Sequence, residues 1–147
     1  AGAYRRYHAA MMRTVLIGTV DAEHRAMHSA CAEALAACIE TIEPGRPMGD
    51  VFDAHSGVMD SAGYRAHRMN ACGYGMGAVY NPLWVDPPMF YSGNPLIMSA
   101  GNVFFLHMIL MNSDSARAMT LGTTVLVTDS GCESLSNSSL ELVVNDG

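Results

Sequence analysis

The 147-residue chain contains no lysine: its eight cations are all arginine, set against fourteen acids for a formal net charge of −6. Without lysine the chain can build no Schiff base, no lysine-containing phosphate loop and no Ser-Lys dyad from its own residues. Nor is there the clustered basic surface that displaces counterions from phosphates, so no nucleic-acid partner is expected. Acids are also missing where strands are expected. Residues 1–20, 61–85, 87–112 and 115–128 hold neither Asp nor Glu, and nearly every strand-like run falls inside them. The sheet therefore supplies almost no carboxylates.

The four cysteines, Cys31, Cys38, Cys72 and Cys132, form no CxxC pair and no zinc-knuckle spacing. They read as small buried apolar residues of a reducing compartment. No apolar run approaches the roughly 18–20 residues that a membrane helix needs, and no basic-then-apolar leader is present. A cytoplasmic protein with no membrane partner is the expectation. Ala1 already stands in a strand approach, so further residues are expected upstream of it. What the chain does have is apolar content, 50% against 15% charged. That composition predicts one domain with a substantial core, and it is consistent with an interface of the kind a homodimer uses.

Residues 4–17 read as a strand ending in Thr14-Val15-Leu16-Ile17 before Gly18. Asp21 fits an N-cap for a helix over 22–42, which Glu43-Pro44-Gly45 ends. A second helix is predicted from near Asp50 to Gly63, with Val51, Phe52, His55, Val58 and Met59 on one face. Residues 68–80 read as a strand interrupted by Gly73, Gly75 and Gly77, the mark of a bulge or of a backbone closely approached by a ligand. Residues 81–95, with four prolines, read as an ordered loop. Strands follow over 102–111 and 119–128, then an Asp129-Ser130-Gly131 hairpin into 132–135. From 137 to 147 the text is polar and tail-like.

This order of elements, together with Arg6-Tyr7-His8 before Arg13-Thr14, Gly73-Tyr74, Tyr80-Asn81-Pro82-Leu83-Trp84 and Phe105-Leu106-His107, resembles the catalytic domain of the creatinase/aminopeptidase family, which is similar to metallopeptidase family M24. The resemblance covers 4–136 as the C-terminal part of that domain, with 137–147 left as the tail. It implies an α+β pita-bread fold, a mostly antiparallel sheet with helices on its outer face, and a dimer. In metal-dependent members an aspartate stands at the position of Ala10, a histidine at Tyr74, a glutamate at His107 and a second glutamate near Gly122 and Thr123. All four depart from the pattern, so the resemblance implies no metal ligands and no cofactor here. It looks most like the metal-free branch, creatinase and ectoine hydrolase.

The implied activity is metal-independent hydrolysis of a C–N bond in a small zwitterionic solute. His107 and Tyr74 are the candidate catalytic residues: an imidazole to move protons and a phenol to donate to developing charge. His8, Trp84, Asp86 and Tyr91 are the candidate substrate-binding residues. Each has a plainer alternative. His107 has the look of a hydrogen-bonded core histidine, Tyr74 of a packing residue and Asp86 of turn chemistry. Trp84, Phe90 and Tyr91 would either cage a cation or pin their loop to the core. The competing functions are an Xaa-Pro aminopeptidase-like metallopeptidase and an inactive solute-binding pseudoenzyme.

Overall fold

The computed structural model describes residues 1–78 and 84–145. The best-signalled element forms as expected. Asp21 accepts a hydrogen bond from the His24 backbone N–H at 2.9 Å, satisfying one orphan donor, and opens helix α1 over Ala22–Thr41. Small and apolar residues recurring along it give α1 one fully enclosed stripe: Met27, Ala30, Cys31, Ala34, Leu35 and Cys38. Helix α2, Met48–Ser61, begins two residues before the expected Asp50. Its start is set by long-range bonds that local pattern does not reveal. The Met48 and Gly49 N–H groups donate to Leu96 O and Asn94 O, at 2.8 and 2.9 Å. Val51, Phe52, His55 and Met59 are buried as predicted, and Val58 packs at their margin.

The predicted first strand divides into four pieces, β1 (Gly2–Tyr4), β2 (Tyr7–Ala9), β3 (Met12–Arg13) and β4 (Val15–Ile17). β1 and β2 form a separate antiparallel hairpin. The main sheet takes up β3, then β5 (Gly73–Gly75), β6 (Asp86–Met89), β7 (Val103–Asn112), β8 (Arg117–Thr128) and β9 (Gly131–Ser134). Its order is β3-β8-β7-β5-β6, with β9 also on β8, and every pairing in it is antiparallel. The α+β class and mostly antiparallel sheet are those expected.

Three segments differ from the sequence reading. Of the described residues in 68–80, only Gly73–Gly75 form a strand. The expected loop contains β6, in spite of Pro87 and Pro88. Proline is tolerated there because β6 is the outer strand of the sheet, so its missing N–H groups break no ladder on the far side. Thirdly, the segment read as a polar tail includes β10, Val143–Asn145, which pairs in parallel with β4. Arg13 and His28 hold its approach: Arg13 Nε donates to Ser139 O at 2.7 Å, and His28 Nε2 lies 2.8 Å from Leu140 O. The tail is docked by these side chains, a tertiary effect that its composition conceals.

Candidate active site

Strand alternation divides β7 between two environments. Phe104, Leu106, Met108 and Leu110 enter the core shared with α1 and α2. Phe105 and His107 face the other way. Register carries that second face across the sheet: Tyr74 on β5 lies opposite Phe105, while on β8 Thr124 lies opposite Phe105 and Gly122 opposite His107. Met12 on β3 pairs with Gly122 from its other side. Tyr74, His107 and Gly122 are thereby gathered on one wall, with Ala10 packed against its rings, whereas Thr123, the other position considered for the fourth departure, lies opposite Leu106 on the core face.

The rings on this wall form a small cluster. The Tyr74 centroid lies 5.4 Å from that of Phe105 and 5.7 Å from that of His107. Beside them is a cavity of about 340 Å³, lined by Ala1, Ala10, Met11, Met12, Tyr74, Trp84 and Phe105. His107 does not line it, but stands against the Tyr74 and Phe105 rings, only 7% exposed. Its Nδ1 is enclosed and has no hydrogen-bond partner among the described residues. Burial disfavours the imidazolium and holds the His107 pKa below its ordinary value. The same desolvation raises the Tyr74 phenol, and a hydrogen bond from the Trp84 side chain opposes part of that rise. The pair is thus a neutral base beside a phenol that keeps its proton.

His8 is buried and lines neither this cavity nor a second one described next. Its Nδ1 lies 2.6 Å from Gly77 O and its Nε2 2.8 Å from Trp84 O. Asp86 lies apart from Tyr74, on a separate groove of about 600 Å³ that it shares with Tyr7, Gly75, Met76, Gly77 and Asn102. Tyr91 is about half exposed in a turn closed by the Asn94 N–H on Tyr91 O at 3.1 Å. The adjoining Ser92 hydroxyl donates to Asp53 of α2, so Tyr91 belongs to the helix side. Phe90 is fully enclosed there, edge-on to Phe104 at 4.8 Å, so it pins the loop to the core. The structure therefore brings together Tyr74, His107, Trp84 and, through Trp84, His8, and it separates Asp86 and Tyr91 from them. Tyr80 to Leu83 of the Tyr80–Trp84 motif lie outside the described residues.

Two residues of the site were not anticipated. Thr124 donates its hydroxyl to Ala10 O at 2.8 Å and accepts from the Ala10 N–H at 3.1 Å, which ties the segment beside the cavity to β8. Phe105 has a larger consequence. A Cβ at Gly122 would come within 2.8 Å of the Phe105 ring and 2.6 Å of Leu106 O. The ring therefore occupies the space into which a side chain at 122 would project. The signal for it was the i, i+2 relation of Phe105 to His107 in a strand.

These residues do not fit a pair of dications. Bridging and terminal carboxylates are needed to hold two such ions. Among its described residues this wall offers one imidazole and one phenol, and position 122 has no room for a longer side chain. Among the described residues no group of three or more His, Cys, Asp or Glu could hold a metal ion.

Comparison with known proteins agrees with the architecture. The chain is 32% identical to the ectoine hydrolase of Halomonas elongata over 98% of its length, but spans only 36% of that protein. It spans a similar 35% of an uncharacterised hydrolase/peptidase of Sinorhizobium fredii, with 29% identity over 98% of the chain. Among solved structures, the X-Pro aminopeptidase of Thermotoga maritima superposes on 96% of the chain with a TM-score of 0.87 at 20% identity, and the match covers 39% of that enzyme. The dipeptidase PepE of Mycobacterium ulcerans matches 91% of the chain and 35% of its own, with a TM-score of 0.82 and 25% identity. The fold is the pita-bread fold of these proteins. Residues 1–129 match the family description itself, and the chain belongs to metallopeptidase family M24.

Proposed function

We propose that this chain forms part of a metal-independent hydrolase of a C–N bond in a small zwitterionic solute. The observation that carries the reading is the wall itself. Where the family pattern has a histidine and two glutamates, the chain sets the Tyr74 and His107 rings 5.7 Å apart and fills the space over Gly122 with Phe105. Ectoine hydrolase is the activity named for a relative at 32% identity, and it directs the choice of substrate to test.

In this reading His107, kept neutral by burial one ring behind the cavity, is the base for a water that attacks the amidine carbon, and that water reaches it between the Tyr74 and Phe105 rings. Tyr74, kept protonated, donates to the charge that develops on the substrate. Trp84 and Phe105 supply apolar walls that orient the solute, while Met12 and Ala10 close the floor. Such positioned proton transfers contribute about 10²–10⁴-fold each. The protein acts in the cytoplasm as a homodimer, with the solute as its partner. Asp86 and Tyr91 bind substrate only where it extends beyond the Tyr74 cavity, because neither reaches that cavity.

The test is turnover of ectoine by the natural full-length protein, before and after exhaustive treatment with a chelator. Ring opening that survives the chelator is the expected result. Strict dependence on added manganese or cobalt would overturn the metal-independent reading. Thermal stabilisation by ectoine with no product formed would replace the enzyme with a solute-binding protein.

A further inference from the structure

The imidazole of His8 is only 7% exposed, and both of its ring nitrogens are directed at backbone carbonyls, Gly77 O at 2.6 Å and Trp84 O at 2.8 Å. The His8 backbone N–H adds a third bond to the same Gly77 oxygen, at 3.2 Å. Carbonyl oxygens only accept. A neutral imidazole carries one N–H and donates to one carbonyl at a time, and a doubly protonated ring donates to both. The doubly protonated ring on β2 therefore grips two backbone positions that are seven apart in sequence, and the neutral ring grips one of them.

The second of those positions is a wall of the cavity. Trp84 lines it together with Tyr74, and its side chain acts on the Tyr74 phenol against the effect of burial. Half of the surface of Trp84 is exposed. An exposed aromatic carried on a backbone fixed by a buried side chain is oriented by that side chain.

We propose that His8 is a positioning residue, which sets Trp84 against Tyr74 through the Gly77 and Trp84 carbonyls and does not itself contact the solute. It acts one step behind the cavity. Trp84 then serves as the adjustable wall, and its indole N–H orients the phenol so that the Tyr74 O–H is left free to donate toward the cavity. The catalytic consequence rests on the function proposed above, whereas the link from His8 to Trp84 is independent of it.

The experiment uses the full-length protein labelled with 5-fluorotryptophan, with the Trp84 resonance assigned by its loss in Trp84→Phe. His8→Ala should shift that resonance and raise its exposure to a soluble paramagnetic relaxation agent. His8→Asn, whose amide N–H can still donate to a carbonyl, should recover part of both effects. An unmoved Trp84 resonance in a folded His8→Ala protein overturns the proposal. Should His8→Ala fail to fold, the unsubstituted protein decides: hydrogen-bonded, slowly exchanging ring N–H protons on His8 uphold the grip, and ring protons in free exchange with solvent overturn it. With ectoine as the probe, binding by His8→Ala/Trp84→Ala should be no weaker than by Trp84→Ala alone, because a residue acting through Trp84 has nothing left to position. Additive losses there would make His8 a direct contact and overturn the proposal. Absence of ectoine binding in every variant counts against the substrate, and the fluorine readout still decides the role of His8.

Discussion

Leu106 and His107 are consecutive residues of one strand, and the sheet sends them into opposite surroundings. Leu106 is fully enclosed among the apolar side chains of α1, α2, β7 and β8. His107 is nearly as well buried, but against two aromatic rings, with an unpartnered nitrogen and a cavity one ring away. The helix-side face is close-packed, so each methylene counts. Among the described residues a buried nitrogen without a partner occurs on both faces, His55 Nδ1 on the helix side and His107 Nδ1 on the other, and each costs free energy; what sets the second face apart is the cavity beside its rings. Equal burial therefore has different meanings on the two faces.

Paired substitutions separate these meanings most sharply. Leu106→Ala should lower unfolding free energy by about 2–5 kcal/mol, as deletion of a fully buried leucine side chain does, seen as a shifted denaturant midpoint. His107→Ala should cost roughly 10²–10⁴-fold in kcat/KM on ectoine, with a midpoint shift smaller than that of Leu106→Ala. Equal destabilisation with activity retained would make His107 a core residue like its neighbour.

The next largest effect is a pH dependence arising on the helix side. His55 is buried beside Phe52, and desolvation, followed by the Arg68 charge, depresses its pKa from 6.5 to about 4. The folded state resists protonation that the unfolded chain accepts, so stability falls as pH drops from 6.5 toward 4 and levels off below. A shift of this size corresponds to roughly 3 kcal/mol over the window. His107 is displaced in the same direction and adds to the fall. Urea unfolding at neutral pH and near pH 4.5 should show this loss, and His55→Leu should flatten it. An unchanged slope in that variant would assign the titration elsewhere.

Gly122→Ala tests the packing between the two faces. Its new methyl would meet Leu106 O and the Phe105 ring, so overpacking of about 1–3 kcal/mol is expected, measured by thermal unfolding. A neutral result would mean that Phe105 yields, and that position 122 could accept a longer side chain after all. The smallest effect belongs to the surface. Arg46 Nε and Glu43 Oε1 are 2.6 Å apart, but both side chains are about half exposed. Glu43→Ala should therefore leave the thermal midpoint nearly unchanged, and a clear drop would show that the turn before α2 depends on that pair.

Much of the helical layer was legible in the chain. Asp21, the acid early in α1 and the Pro-Gly stop act within a few residues of their own position, and the buried face of α2 follows from a local period. The paired acceptance of Pro87 and Pro88 in β6 was not legible, because it depends on β6 being the last strand of the sheet. Nor was β10, whose partner β4 lies more than a hundred residues earlier. Within the site, Tyr74, His107, Trp84 and His8 could be named from the motifs. Their grouping could not, nor could the exclusion of Asp86 and Tyr91, since loop residues close in sequence diverge to different sides of the sheet.

By itself the sequence determined that the chain has no lysine chemistry, that its strands carry almost no acids, and that Asp21 caps α1, because composition and capping are local properties. Tertiary structure alone decided which face His107 joins, what fills the space above Gly122 and what holds Trp84. Each of these depends on register between strands distant in sequence, where a slip of one residue would exchange Leu106 for His107 and turn the core inside out.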